Sequence, residues 1–176
     1  MEKKKAVQTG FSLLECVVSM FIAFSLFSVV MPVFSRLTTS TILESQAELL
    51  LTHLHLARNY AISENTRVMV CPNNNQRCGN KNHWKNGWLV FSDSNRNRKY
   101  DLAEPILQLH NINYSNVMLG FRKRPDYVYF KASGSAWPNG TFKFCDQNNV
   151  VEASAVVISM SGRPRRPMPY EAPVTC

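Results

Sequence analysis

Residues 10–34 read Gly10-Phe11-Ser12-Leu13-Leu14-Glu15 followed by CVVSMFIAFSLFSVVMPVF. From 11 to 34 there is one acid, Glu15, and no base. As a helix, these 24 residues at about 1.5 Å each span roughly 36 Å, enough to cross a bilayer. Lys3, Lys4 and Lys5 stand just before the run. Positive charge at that end holds it in the cytoplasm and sends the chain after about residue 35 outward. An ordinary secretory signal has a shorter apolar core followed by its small-residue cleavage site. Here the small residue, Gly10, precedes the core, so cleavage there would remove the basic leader and keep the helix.

Working outward, the helix is expected to continue through residue 64. Leu43, Ala47, Leu50, Leu54, Ala57 and Ala61 step by four and three, which makes one apolar stripe at helical period. Such a stripe packs on a sheet. From residue 66 the pattern changes to short β-like runs at 67–71, 87–92, 106–109, 117–121, 127–131, 141–145 and 155–159. Turn residues separate them, among them Pro72-Asn73-Asn74-Asn75 and Pro138-Asn139-Gly140. One long helix followed by strands, with no helices between them, implies an α+β fold with antiparallel sheet. The division is a leader over 1–10, a transmembrane helix over 11–34, its amphipathic continuation over 35–64 and a β-rich globular domain over 65–176.

The chain of 176 residues carries 20 Lys and Arg against 12 Asp and Glu, a net charge of +8. Without the leader the balance is 17 to 11, or +6, so the excess belongs largely to the exported domain. It gathers in three clusters: Arg96, Arg98 and Lys99; Arg122, Lys123 and Arg124; and Arg163, Arg165 and Arg166. The third lies in Ser161-Gly162-Arg163-Pro164-Arg165-Arg166-Pro167. Its prolines stiffen the segment and deny it helix or central-strand structure. Arginines on a rigid exposed loop lose little entropy on binding, and their forks suit phosphate oxygens.

Cys16 falls within the apolar helix and reads as a free packing residue. Cys71, Cys78, Cys145 and Cys176 face an oxidising compartment and allow three pairings. The favoured one closes a short polar loop with Cys71–Cys78 and ties the last residue to a strand with Cys145–Cys176. No CxxC pair exists, and His53, His55, His83 and His110 do not stand at zinc-ligand spacing. Asp93-x-Asn95-x-Asn97 with Glu104 partly fits a calcium loop. The glycine such loops require is Arg98 here, and Arg96 and Lys99 repel a dication, so the stretch reads as a solvated hairpin loop. No nucleophile, phosphate-loop or paired-carboxylate motif appears. No metal, cofactor or enzymatic activity is expected.

The hexapeptide Gly10–Glu15 resembles the processing site of type IV pilins and type II secretion pseudopilins. The resemblance implies cleavage after Gly10 by a prepilin peptidase, N-methylation of Phe11 and a role for Glu15 in assembly. A carboxylate in hydrocarbon costs several kcal/mol unless paired, and a neighbouring subunit's helix N-terminus is a natural partner. Pro32 suits the same family, whose helix kinks or melts locally.

Further matches narrow it. Ala57-Arg58-Asn59-Tyr60-Ala61, Val70-Cys71-Pro72, Cys78 and Trp84-Lys85-Asn86-Gly87-Trp88-Leu89-Val90-Phe91-Ser92-Asp93 resemble the FimT/GspH family of minor pilins and pseudopilins. That implies a type IV pilin-like fold, in which Trp84, Trp88 and Phe91 are packing residues. Gly162-Arg163-Pro164-Arg165 resembles the C-terminal motif of FimT-type minor pilins that bind DNA in natural transformation. It implies Arg163 and Arg165 as phosphate contacts; Arg166 is an extra base that the motif does not require, and the other two clusters would widen the basic surface, with Arg122, Lys123 and Arg124 as candidate auxiliary contacts. The expected partners are double-stranded DNA, other pilins of a type IV pilus, the prepilin peptidase and, before assembly, the inner membrane. The alternative is a structural subunit without DNA binding, either a minor pseudopilin of type II secretion or a pilus-priming pilin.

Overall fold

The computed structural model describes residues 12–121, 125–168, 171 and 174–176. The leader with Gly10, together with Phe11 and the cluster Arg122, Lys123 and Arg124, lies outside the described residues. The chain divides into two compact units, Met1–Thr38 and Thr39–Cys176. A single helix, α1 (Leu13–Ser63), runs through both. In the first unit its large apolar side chains are bare: Leu13, Phe21 and Phe24 are each more than 70% exposed. By length and composition this stretch can cross a membrane. The helix passes unbroken through position 32, so of the kink or local melting expected at Pro32 the melting is not found. One absent N–H removes one rung from a long ladder, which an apolar helix absorbs.

In the second unit the predicted stripe is the buried face. Leu43, Ala47, Leu50, Leu54, Ala57 and Ala61 are all 1% exposed or less. Truncating Leu50 or Leu54 to Ala costs about 2–5 kcal/mol, the transfer term plus the cavity left behind. The stripe packs with residues of two antiparallel sheets in one core. The first sheet comprises β1 (Val68–Asn74), β2 (Arg77–Cys78), β3 (Gly87–Ser92), β4 (Ile106–Asn111), β6 (Val128–Phe130) and β7 (Ala136–Trp137), ordered β4-β3-β1-β6-β7 with β2 beside β1. The second comprises β5 (Val117–Phe121), β8 (Gly140–Asp146), β9 (Ser154–Ile158) and β10 (Pro164–Arg165), ordered β10-β9-β8-β5.

Every residue of β3 is buried, because both faces of its sheet are covered. Trp88 and Val90 point into the main core, whereas Leu89 and Phe91 join Met69, Cys71 and Tyr129 in a second cluster. Tyr100, from the β3–β4 loop, packs edge-on to Phe91 with ring centroids 5.4 Å apart. Trp84, in a short 3₁₀ helix (Lys81–Asn86), stacks edgewise on Phe142. Trp84, Trp88 and Phe91 are thus packing residues, fully buried.

A polar seam joins the helix to the first sheet. Trp88 Nε1 donates to His53 Nδ1 at 3.0 Å. His110 Nε2 lies 2.8 Å from Gln46 Oε1, and its ring packs against that of Trp88 with centroids 4.3 Å apart and planes tilted by 40°. Burial lowers the pKa of His53. Burial, and then His53 itself, lowers that of His110. Both disulfides form as favoured, Cys71–Cys78 and Cys145–Cys176. The second carries the chain end to β8, where Lys143 Nζ also donates to the Thr175 carbonyl.

Candidate nucleic-acid interface

The Gly162–Arg166 segment is built on a hairpin. β9 ends at Ile158, the chain turns, and β10 returns beside it with Pro164 opposite Ile158 and Arg165 opposite Val157. The sequence reading expects a loop here. The structure instead places a two-residue strand at the sheet edge, where a proline needs to donate no ladder bond. Side chains alternate across a strand, so Pro164 is buried while Arg163 is exposed and Arg165 half-buried.

The turn is held from within. Ser159 Oγ donates to the Arg163 carbonyl at 3.2 Å and accepts from the Arg163 N–H at 3.1 Å. Gly162 N–H donates to the Ser159 carbonyl at 2.9 Å. Gly162 is buried with φ +76°, and a Cβ there would lie 2.0 Å from the Gly134 carbonyl oxygen. Only glycine permits this approach and this backbone conformation. The Gly134 turn is in turn tied to α1, since Arg58 Nε donates to the same carbonyl at 3.0 Å. Sequence reasoning misses this link, because nothing local connects residues 76 positions apart.

The three arginines have different surroundings. The Arg163 guanidinium has no hydrogen-bond or ion-pair partner among the described residues. Arg165 meets Glu171 with two bonds, Nη1 to Oε2 at 2.9 Å and Nη2 to Oε1 at 2.5 Å. That pair, helped by the Met168 N–H, lowers the Glu171 pKa to about 2. Arg166 faces back into the protein. Its Nη2 is 2.8 Å from Glu44 Oε1, its Nε 3.0 Å from Glu48 Oε1, and its Nη1 donates to Ser154 Oγ at 2.8 Å. The expectation of three arginines displayed alike on an exposed loop is therefore corrected. Among the described residues Arg163 has no partner, Arg165 is held by a carboxylate, and Arg166 clamps the hairpin to α1.

Of the other basic clusters, Arg96, Arg98 and Lys99 are exposed on the β3–β4 connection of the first sheet. The hairpin belongs to the second sheet. Glu15 lies in the first turn of α1.

Residues 46–162 match the family model described as type II transport protein GspH. A search of curated proteins returns no significant match. The crystal structure of the type IV minor pilin FimU from Pseudomonas aeruginosa superposes with a TM-score of 0.55 at 19% identity, covering 80% of this chain and 98% of that one. A second crystal form of the same pilin gives 0.53 at 20% identity, covering 76% and 98%. The minor pseudopilin EpsH of the Vibrio cholerae type 2 secretion system gives 0.48 at 14% identity, covering 73% and 98%.

Proposed function

This chain belongs to the GspH family of type II transport proteins, and from that membership we propose a minor type IV pilin that binds double-stranded DNA. Its role as a minor pilin or pseudopilin is that of a structural subunit working with other pilins in a pilus or pseudopilus. The apolar first part of α1 fits a single-pass anchor in the inner membrane. In our reading the prepilin peptidase removes residues 1–10 after Gly10, Phe11 becomes the methylated N-terminus, and Glu15 pairs with a neighbouring helix end during assembly. Lys3, Lys4 and Lys5 keep the leader cytoplasmic, which puts the domain in the periplasm and later on the pilus.

One observation carries the DNA reading: Arg163 is exposed and without a partner among the described residues, on a turn whose backbone is fixed by Ser159 and Gly162. A guanidinium presented by a rigid turn meets a phosphate at little entropic cost. Arg165 lies two residues on and can exchange Glu171 for a phosphate, one anion for another. Arg166 keeps the hairpin in place. Arg122, Lys123 and Arg124 are auxiliary contacts in this reading. Contacts of this kind go to the DNA backbone, so binding is weak, indifferent to sequence and sensitive to salt. Retraction of a pilus carrying such subunits would draw the DNA inward without covalent chemistry. A gel-shift assay on the full chain in detergent tests the reading. Arg163→Gln is expected to weaken the shift on duplexes of unrelated sequence equally. A shift that depends on sequence, or that Arg163→Gln leaves intact, speaks against it.

A further inference from the structure

The β3–β4 connection holds oxygen donors that DNA binding does not use. It runs from Asp93 through Asn95, Asn97, Lys99 and Asp101 to Glu104. With Asp93 as position one, side-chain oxygens fall at positions one, three, five, nine and twelve, and the Lys99 peptide carbonyl at seven. That is the spacing by which a twelve-residue loop wraps calcium. Position six in such loops is glycine because the chain turns sharply there. Arg98 occupies it here, yet takes φ 64°, so the left-handed turn is made without glycine. The absence of glycine at position six therefore does not by itself exclude a calcium loop.

Residues 94–99 of the loop are exposed, as its polarity implies, but its two ends are not. Asp93 is fully buried and Glu104 is 7% exposed. Asp93 Oδ2 and Glu104 Oε1 are buried without a hydrogen-bond partner. The second oxygen of each carboxylate accepts from the loop's own backbone, Asp93 Oδ1 from Arg98 N–H at 3.4 Å and Glu104 Oε2 from Asp101 N–H at 3.3 Å. Both carboxylates therefore turn towards the loop. A buried carboxylate oxygen with neither a donor nor a cation beside it is costly, and Glu104 Oε1 is such an oxygen among the described residues. Asp93 Oδ2 has a cation beside it, Arg67, whose Nη1 lies 3.6 Å away. Glu104 Oε1 has no such neighbour among the described residues.

We propose that this loop binds one calcium ion through Asp93, Asn95, Asn97, the Lys99 carbonyl, Asp101 and Glu104. Asn95 Oδ1 and Asn97 Oδ1 already accept from Asn97 N–H at 3.0 Å and Lys99 N–H at 2.7 Å, and each keeps a lone pair for the ion. Asp101 Oδ2 accepts from the Nδ2 atoms of Asn95 and Asn97 at 2.7 and 2.6 Å and exchanges both donors for the metal. Among the described residues no three His, Cys, Asp or Glu side chains already meet as a metal cage, so the loop tightens on binding. All ligands are oxygens spread over a twelve-residue loop, a set that suits calcium better than the strict octahedron magnesium demands. The exposed Arg96, Arg98 and Lys99 side chains weaken the site and set its affinity near the ~10⁻⁴–10⁻³ M of extracellular calcium modules. Packing of Tyr100 on Phe91 would carry the ordering of the loop into the first sheet.

The full chain in detergent provides the test, and it is independent of DNA binding. Terbium, whose luminescence Tyr100 would sensitise, probes the loop directly, and thermal melting with calcium or magnesium probes its effect on the fold. Millimolar calcium is expected to raise the melting temperature and to displace terbium, with magnesium far weaker. Glu104→Gln and Asp101→Asn should each weaken calcium binding about tenfold or more, through the loss of ligand charge. Asp101 is the more exposed of the two, so its variant keeps the test open if the other fails to fold. Wild-type chain that shows neither terbium luminescence nor a calcium-dependent melting shift overturns the proposal. So does an equal response to magnesium, or a folded variant that binds calcium as tightly as the wild type.

Discussion

Arg165 and Glu171 face each other through two parallel hydrogen bonds at 2.9 and 2.5 Å. The arginine that the DNA motif relies on is thus engaged by a carboxylate of the same tail. A phosphate and Glu171 compete for one guanidinium fork. Replacing Glu171 by Gln should free Arg165 for DNA, tighten binding and steepen the dependence of log affinity on log salt by about 0.9 for the added phosphate contact. Fluorescence anisotropy across a salt series measures both. An unchanged slope would mean that Arg165 does not reach the DNA.

Gly162 sets the turn that presents Arg163. With φ +76° and the Gly134 carbonyl oxygen 2.0 Å from any added Cβ, the alanine variant meets both strain and a backbone clash. Gly162→Ala should cost about 1–3 kcal/mol, read as a lowered melting temperature. Arg163 is exposed and has no partner among the described residues, so Arg163→Gln should leave melting unchanged.

His53 must be unprotonated at Nδ1 to accept from Trp88 Nε1, which can only donate. Its pKa and that of His110 are lowered in the folded chain. The unfolded chain therefore binds more protons below the ordinary histidine value of about 6.5. Stability should be intact above that pH and fall as the pH is lowered through it. Chemical denaturation at a series of pH values should show the decline, and His53→Gln should flatten part of it.

The two disulfides close loops of different size, with sequence separations of 7 and 31. Loop-closure entropy makes the longer one worth more, about 4 kcal/mol for Cys145–Cys176 against about 2 kcal/mol for Cys71–Cys78. Paired Cys→Ser variants measured by denaturation should keep that order. Loss of Cys145–Cys176 should also loosen the tail that holds Glu171 against Arg165.

What could be read from the sequence follows from the range of the forces involved. The α1 stripe from Leu43 to Ala61 was legible because helical period is a local signal, and all six positions are buried. The strands at 87–92 and 117–121 were legible to the residue, from dense β-branched and aromatic runs. β10 was not legible, since Pro164 and three arginines carry loop chemistry, and only an open edge beside β9 makes a strand of them. The roles of Arg165 and Arg166 depend on where the tail and α1 come to lie. Glu44 stands 122 positions from Arg166, and no local pattern announces their contact. In the 93–104 loop residues 94–99 are exposed as their polarity implies, whereas the burial of Asp93 and Glu104 at its ends carries no local sequence signal.

The central claim is that Arg163 and Arg165 hold double-stranded DNA by its phosphates. The most direct measurement is anisotropy of a labelled duplex with the full chain in detergent, for the wild type and for Arg163→Gln combined with Arg165→Gln. Binding by the wild type should fall steeply as salt rises, and the double variant, folded by its melting curve, should bind no DNA at any salt concentration. Unchanged binding by the double variant would contradict the account.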